Sequence, residues 1–302
     1  MGSIFTLVTL SLLLGISVAL AQPQPFARPR LPEGATVYRD LAYVTNGHPR
    51  QRLDLYLPKD GKNLPLIINI HGGAFRGGSK DMGVPVDYLA RGYAVASINY
   101  RLSQHAIFPA QIEDCKAAVR WLRAHAARYH LDPAHFAAWG SSAGGHLAAM
   151  LGTTGDVKAF EVGENLAFSS RVQAVVDYFG PTDFLQMDPH RVSSGQTHDS
   201  ANSPESQLIG GPLQDNKEKA AKANPITYVT KDTPPFLICH GDADPLVPHH
   251  QSELLEAALK QAGVPVTLYT VKGAGHGGFR DPKVPELTQE FLANHLQPTK
   301  AQ

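Results

Sequence analysis

Cysteine is nearly absent: two residues in a chain of 302 are too few for a disulfide framework, even in an oxidising compartment. Cys115 falls in a helical pattern and Cys239 in an apolar strand pattern, so both are expected to be buried free thiols. There is no CxxC pair and no Cys/His ligand spacing, so no zinc site is suggested. An excess of charge is missing as well. Lys+Arg and Asp+Glu number 27 each, and no Lys/Arg run occurs, which removes the bulk-charge route to nucleic acid or anionic lipid. No Asn-x-Ser/Thr sequon and no internal repeat is present. Beyond residues 4–20, no stretch is long and apolar enough to span a bilayer. What remains as a partner is a neutral or locally polar small molecule or polymer.

Residues 4–20 (IFTLVTLSLLLGISVAL) are almost wholly apolar, and Ala19-Leu20-Ala21 offers a small-x-small cleavage site. That pattern predicts a signal peptide over residues 1–21, and hence a secreted or periplasmic product with no stable membrane association after cleavage. A retained anchor is the alternative, and no Lys or Arg precedes the apolar run. A Pro-rich linker over 22–35 follows, then one domain over 36–297 and a short tail over 298–302.

Residues 36–44 and 51–57 alternate apolar and polar side chains around Asn46-Gly47, which predicts an antiparallel hairpin. The runs at 65–71, 93–99, 136–140, 172–179, 235–240 and 266–271 are near-continuously apolar, as strands buried on both faces require. Between them lie helical patterns. Residues 109–129 place Ile112, Cys115, Val119 and Leu122 on one face, with Pro109 at the start; 142–151, 249–262 and 284–296 also read as helices. The alternation predicts an α/β fold with a mostly parallel sheet of about eight strands and helices on both faces. Residues 185–224 stand apart: polar, without strong periodicity, and expected to form a small cap or lid over the site. The adjacent pair His249-His250 is expected at the surface, because neighbouring residues do not share a helix face.

Four motifs carry chemistry, and each follows a buried strand. Gly140-Ser141-Ser142-Ala143-Gly144 is a GxSxG between a strand and an Ala-rich helix. A serine hydroxyl is a weak nucleophile and has to project from a sharp turn where a base can reach it, and a helix N-terminus there favours developing negative charge. His71-Gly72-Gly73-Ala74-Phe75 can aim backbone amides at one oxygen, so Gly73, Ala74 and Ala143 are the oxyanion-hole candidates, with Gly72 the alternative in a shifted register. The neighbouring Gly73-to-Lys80 stretch is no P-loop, because Ser79 precedes Lys80 where the motif needs Gly-Lys-Ser/Thr. The third motif, His240-Gly241-Asp242-Ala243-Asp244, supplies Asp244 as the orienting acid, with Asp242 and then Asp183 as rivals. The fourth, Gly273-Ala274-Gly275-His276-Gly277, supplies His276 as the base. A loop Asp is commonly just a turn former and a lone His commonly structural; four strand-end motifs in the order Ser, Asp, His are harder to assign to chance.

Together with Asn99-Tyr100-Arg101-Leu102 and Phe108-to-Asp114, these motifs resemble the esterase/lipase branch of the α/β-hydrolase family, and most closely the bifunctional feruloyl and acetyl-xylan esterases. The resemblance runs over roughly residues 36–296. It implies the α/β-hydrolase fold, a Ser142–His276–Asp244 triad, no cofactor, and a small-molecule or polysaccharide ester as substrate. It also implies scaffold roles for His71, Arg101, Glu113 and Asp114. Many relatives have a third glycine where this chain has Ala74, which narrows the pocket slightly but keeps the amide. Acetyl or feruloyl groups of plant polysaccharide are the expected substrates. An arylformamidase or peptidase-like hydrolase on the same fold would carry the same triad. A non-catalytic binding protein would typically have lost Ser142 or His276.

Overall fold

Residues 30–296, together with Gly2, are described by the computed structural model of the chain. The expected signal peptide, most of the linker and the tail lie outside the described residues. Eight strands form one sheet: β1 (Thr36–Ala42), β2 (Arg52–Leu57), β3 (Leu64–Ile70), β4 (Ala94–Ile98), β5 (Leu131–Ser141), β6 (Ala174–Tyr178), β7 (Phe236–Gly241) and β8 (Val266–Val271). Their order is β1-β2-β4-β3-β5-β6-β7-β8. β2 pairs antiparallel with both β1 and β4, and every other pairing is parallel. This is the α/β-hydrolase arrangement, with the expected hairpin at one edge.

The sequence pattern explains the layers. In β3, Leu66, Ile68 and Ile70 enter one buried cluster while Ile67 enters a second on the opposite face. In β7, Phe236 and Ile238 take the first and Leu237 and Cys239 the second. Period-two alternation of apolar side chains on both faces is what a continuous apolar run encodes. The edge strand β1 instead alternates between exposed and half-buried positions.

Helix α1 (Ala110–Ala124) turns Ile112, Cys115, Val119 and Leu122 inward, and none of them is exposed. It packs beside α2 (Ala143–Thr153) on the first cluster. After α3 (Met187–His190), α4 (Pro204–Ile209) and α5 (Lys217–Ala223) come α6 (His250–Gln261) and α7 (Lys283–Leu296). α7 covers the other face with Val284, Leu292 and Leu296. Both cysteines are buried and free. No helix among the described residues is long and apolar enough to cross a membrane.

Residues 185–224, read from the sequence as a small cap or lid without strong periodicity, are built from short helices. The segment contains α3, α4 and α5, and Met187, Leu208, Ile209, Leu213, Ala220 and Ala223 all join the first core cluster. Helices of four to seven residues complete fewer than two turns, too few for a 3.6-residue period to show in the sequence. The His249-His250 pair is likewise not simply a surface feature. His249 Nε2 lies 2.9 Å from Thr270 Oγ1, and the His250 ring sits 3.7 Å from that of His190 on α3. Both are half-buried, His250 under α3 and His249 against β8, contacts that the sequence did not reveal.

Candidate active site

The end of β5, the start of α2 and the end of β3 meet at one point. Ser142 occupies the turn between β5 and α2 with φ 57° and ψ −124°. A side chain in that region of backbone space is strained by roughly 1–3 kcal/mol and persists only where its surroundings enforce it. Here the Ser142 amide donates to the Tyr178 carbonyl at 2.8 Å. The flanking glycines allow the close approach. A Cβ on Gly140 would lie 2.0 Å from the Gly144 carbonyl oxygen, and one on Gly144 would lie 2.0 Å from that of Ile70. The spacing of the motif is therefore a packing requirement as well as a chemical one.

Asp244, in the loop after β7, is 1% exposed, and its carboxylate collects donors from several directions. Oδ1 accepts the amides of Leu246 at 2.8 Å and Val247 at 3.0 Å. Oδ2 accepts His276 Nδ1 at 2.7 Å and His240 Nε2 at 3.1 Å. Burial alone would raise its pKa. The bonds from His240 and His276, the imidazole charge of His276 and the Val247 amide reverse that and hold it well below the usual carboxylate range. Because the carboxylate can only accept, His276 Nδ1 carries the proton, which leaves Nε2 as the basic nitrogen. Phe179 packs edge-on against the His276 ring at 4.6 Å.

The two rival acids are occupied as turn formers. Asp242 accepts the Gly273 amide at 2.6 Å and pairs with Lys272, so it fixes the backbone of the His276 loop. Asp183 accepts from the Leu185 amide at 3.1 Å and from Asn224 at 3.0 Å. Only Asp244 reaches His276 among the three.

Gly73, Ala74 and Phe75 all have positive φ, at 117°, 54° and 59°. This turns the loop after β3 back over Ser142, with Gly72 packed against the Ser141 backbone. Neither Gly73 nor Ala74 donates its amide to a protein acceptor among the described residues. Ala143 opens α2, where first-turn amides have no intrahelical acceptor. Ala74 keeps the amide and accepts the left-handed backbone that a glycine would adopt without strain.

The loop is braced from behind by a residue that no motif reveals. Arg50 donates through Nη2 to the Gly78 carbonyl at 3.0 Å and to His71 Nε2 at 3.0 Å, and through Nε to the Tyr100 carbonyl at 2.8 Å. His71 in turn donates Nδ1–H to the Gly72 carbonyl at 2.7 Å and stacks on Tyr100. Burial pushes the His71 pKa down to about 4, so the ring is neutral and can accept from Arg50. Further back, Asp114 receives the Arg101 backbone and guanidinium and the Gln51 amide, a scaffold junction between α1 and the loop after β4.

Two cavities flank Ser142. One, of about 400 Å³, is lined by Gly72, Gly73, Ala74, Ser142, Phe179, Leu246 and His276. The other, of about 60 Å³, lies between Ala74, Ser142, Ala143 and His276 and the segment carrying α4. Among the described residues no cluster of three or more His, Cys, Asp or Glu side chains is arranged to hold a metal.

The profile of the BD-FAE family matches residues 53–259. Esterase LipQ of Mycobacterium tuberculosis is 31% identical over 267 residues, covering 84% of this chain and 61% of its own length. The chain thus spans about three fifths of that relative. A solved structure of a truncated form of a carbohydrate esterase from gut microbiota superposes with a TM-score of 0.81 at 36% identity, covering 87% of this chain and 98% of its own. An acetyl ester-xyloside bifunctional hydrolase from Caldicellulosiruptor lactoaceticus superposes with a TM-score of 0.68 at 25% identity, covering 80% and 87%.

Proposed function

The chain belongs to the BD-FAE family of α/β-hydrolase esterases, and from that premise we propose that it is a serine carboxylesterase working through an acyl-enzyme. The observation that carries the reading is the 2.7 Å bond from His276 Nδ1 to the buried Asp244 carboxylate, at the edge of a cavity that Ser142 also lines. In this reading Ser142 attacks the ester carbonyl while His276 Nε2 takes its proton and passes it to the leaving alcohol. The Gly73, Ala74 and Ala143 amides receive the oxyanion. A water activated by the same imidazole then attacks the acyl carbonyl, releasing the acid and returning the proton to Ser142. Asp244 holds the tautomer and stabilises the imidazolium that forms in each half.

The substrate is an ester of a short or aromatic acyl group on a polyhydroxylated alcohol, with acetyl or feruloyl esters of plant polysaccharide as the natural class. The carbohydrate-esterase and acetyl ester-xyloside relatives support this choice, as does a cavity of about 400 Å³ beside Ser142. The apolar segment at residues 4–20 and the Ala19-Leu20-Ala21 site support export, where such polymers are met.

Hydrolysis of chromogenic acetyl-to-octanoyl esters and methyl ferulate tests the reading. Activity is expected on acetyl and feruloyl esters. It should fall by about 10⁴-fold or more in Ser142→Ala and in Asp244→Asn, and stay within a few-fold of wild type in Asp242→Asn. Ester turnover that survives Ser142→Ala would remove the proposed nucleophile.

A further inference from the structure

The segment between β6 and β7 contributes a buried histidine–glutamate pair to the smaller cavity. His198 is 1% exposed and Glu205 5% exposed, and His198 Nδ1 lies 3.0 Å from Glu205 Oε2. The pair is held in place by its backbone: Asp188 accepts the His198 amide at 2.7 Å and the Asp199 amide at 2.9 Å. A carboxylate can only accept, so Nδ1 carries a proton. Burial disfavours a second proton on the ring. The bond to Glu205, its charge, that of Asp188 and the nearby Leu246 carbonyl more than offset this and raise the His198 pKa. The other ring nitrogen, Nε2, is buried and makes no hydrogen bond among the described residues.

This imidazole is part of the wall of the 60 Å³ cavity that also touches Ser142, Ala143 and His276. Such a volume holds on the order of four to six water-sized groups, too few for an aromatic ring with substituents or for a whole sugar. A plain alkyl group seated there would leave Nε2 unsatisfied, at a penalty typical of an unpaired buried polar atom. An anion gains little, because the Glu205 carboxylate already lies against the ring. A hydroxyl fits the chemistry best, because it can pair with Nε2 either as donor or as acceptor.

We propose that His198 is a specificity-determining residue, and that the small cavity beside Ser142 is a subsite for a hydroxyl carried within a few bonds of the scissile ester. The assignment rests on the esterase reading of Ser142 and His276. The hydroxyl can belong to the alcohol, as in a mono-ester of a vicinal diol, or to the acid, as in a 2-hydroxyacyl ester. Either source presents the same group to the same nitrogen.

The test compares kcat/KM for 2-hydroxyethyl acetate and for ethyl glycolate, each against ethyl acetate, in wild type, His198→Leu and Glu205→Gln. Wild type should prefer one hydroxylated ester by about tenfold, with the alcohol-side or acid-side pair identifying the source. His198→Leu should erase that preference by lowering kcat/KM for the hydroxylated ester more than for ethyl acetate, and Glu205→Gln should weaken it. The wild-type comparison alone decides the matter if the leucine variant fails to fold. Ser142-dependent hydrolysis with no preference for either hydroxylated ester, or a preference unchanged in His198→Leu, overturns the subsite and leaves the esterase reading standing. Absence of hydrolysis on all three esters and on the chromogenic series removes that reading, and the subsite with it.

Discussion

His240 Nε2 lies 3.1 Å from Asp244 Oδ2, the same carboxylate oxygen that His276 Nδ1 reaches at 2.7 Å. The His240 nitrogen also faces the Val247 carbonyl at 3.0 Å, so both of its neighbours are acceptors and it must carry the proton. Its other nitrogen meets Ser252 Oγ at 2.7 Å. The ring is wholly buried and touches no substrate cavity, which makes it a positioning residue for Asp244.

Replacing His240 by Leu removes one donor from a carboxylate that stays buried. The expected loss in kcat/KM is about 1–3 kcal/mol of transition-state stabilisation, roughly 5- to 150-fold. The carboxylate also takes up a proton at higher pH than in wild type, so the acid limb of the pH profile moves upward. His240→Gln, whose amide can reach the same oxygen, should recover part of the rate and the original limb. A rate loss with an unmoved profile in both variants would reduce His240 to a packing residue.

Arg50 braces the loop after β3, the proposed oxyanion loop, through the Gly78 carbonyl and His71, and it contacts neither cavity. Its removal should therefore loosen amides that matter most as charge develops on the carbonyl oxygen. Arg50→Leu is expected to lower kcat by about ten- to a hundredfold with KM changed less than threefold. A rise in KM at constant kcat would place Arg50 in ground-state binding instead.

The strands and the residues of the proposed triad were legible because each is written locally. The β3 and β7 runs are apolar on both faces, and Ser142, Asp244 and His276 each sit one turn beyond such a run, flanked by the glycines or turn residues that the geometry demands. What was not legible depends on contacts across the chain. Arg50 lies in an ordinary turn after the first strand, and its role exists only once β3 and β4 bring His71 and Tyr100 to it. His198 and Glu205 are seven residues apart in a polar stretch, and they face each other only because Ser203 starts a helix too short to leave a periodic trace. His240 read as the last residue of a strand, and β7 runs one residue further to Gly241; its bond to Asp244 is formed by the loop that follows.

Asp177, in the middle of the sheet, gives the fold a pH dependence that is separate from catalysis. It is wholly buried, Oδ1 accepts the Gly180 amide at 2.9 Å, and Oδ2 has no partner. Burial, opposed only in part by that amide, pushes its pKa up to about 7. An unfolded chain would release the same proton near 4. Between about pH 4 and pH 7 the native state thus binds more protons than the unfolded state, so stability from this group is full at the acidic end and is lost as pH rises through 7. Asp177→Asn keeps an acceptor for Gly180 and cannot ionise. Its stability relative to wild type should therefore improve steadily from pH 5 to pH 8 and level off above. The urea midpoint at the two pH values measures this directly, because any constant packing defect of the amide cancels in the comparison. A difference from wild type that is the same at pH 5 and pH 8 would mean that Asp177 ionises in the native protein at an ordinary pH, and that its orphan oxygen is solvated after all.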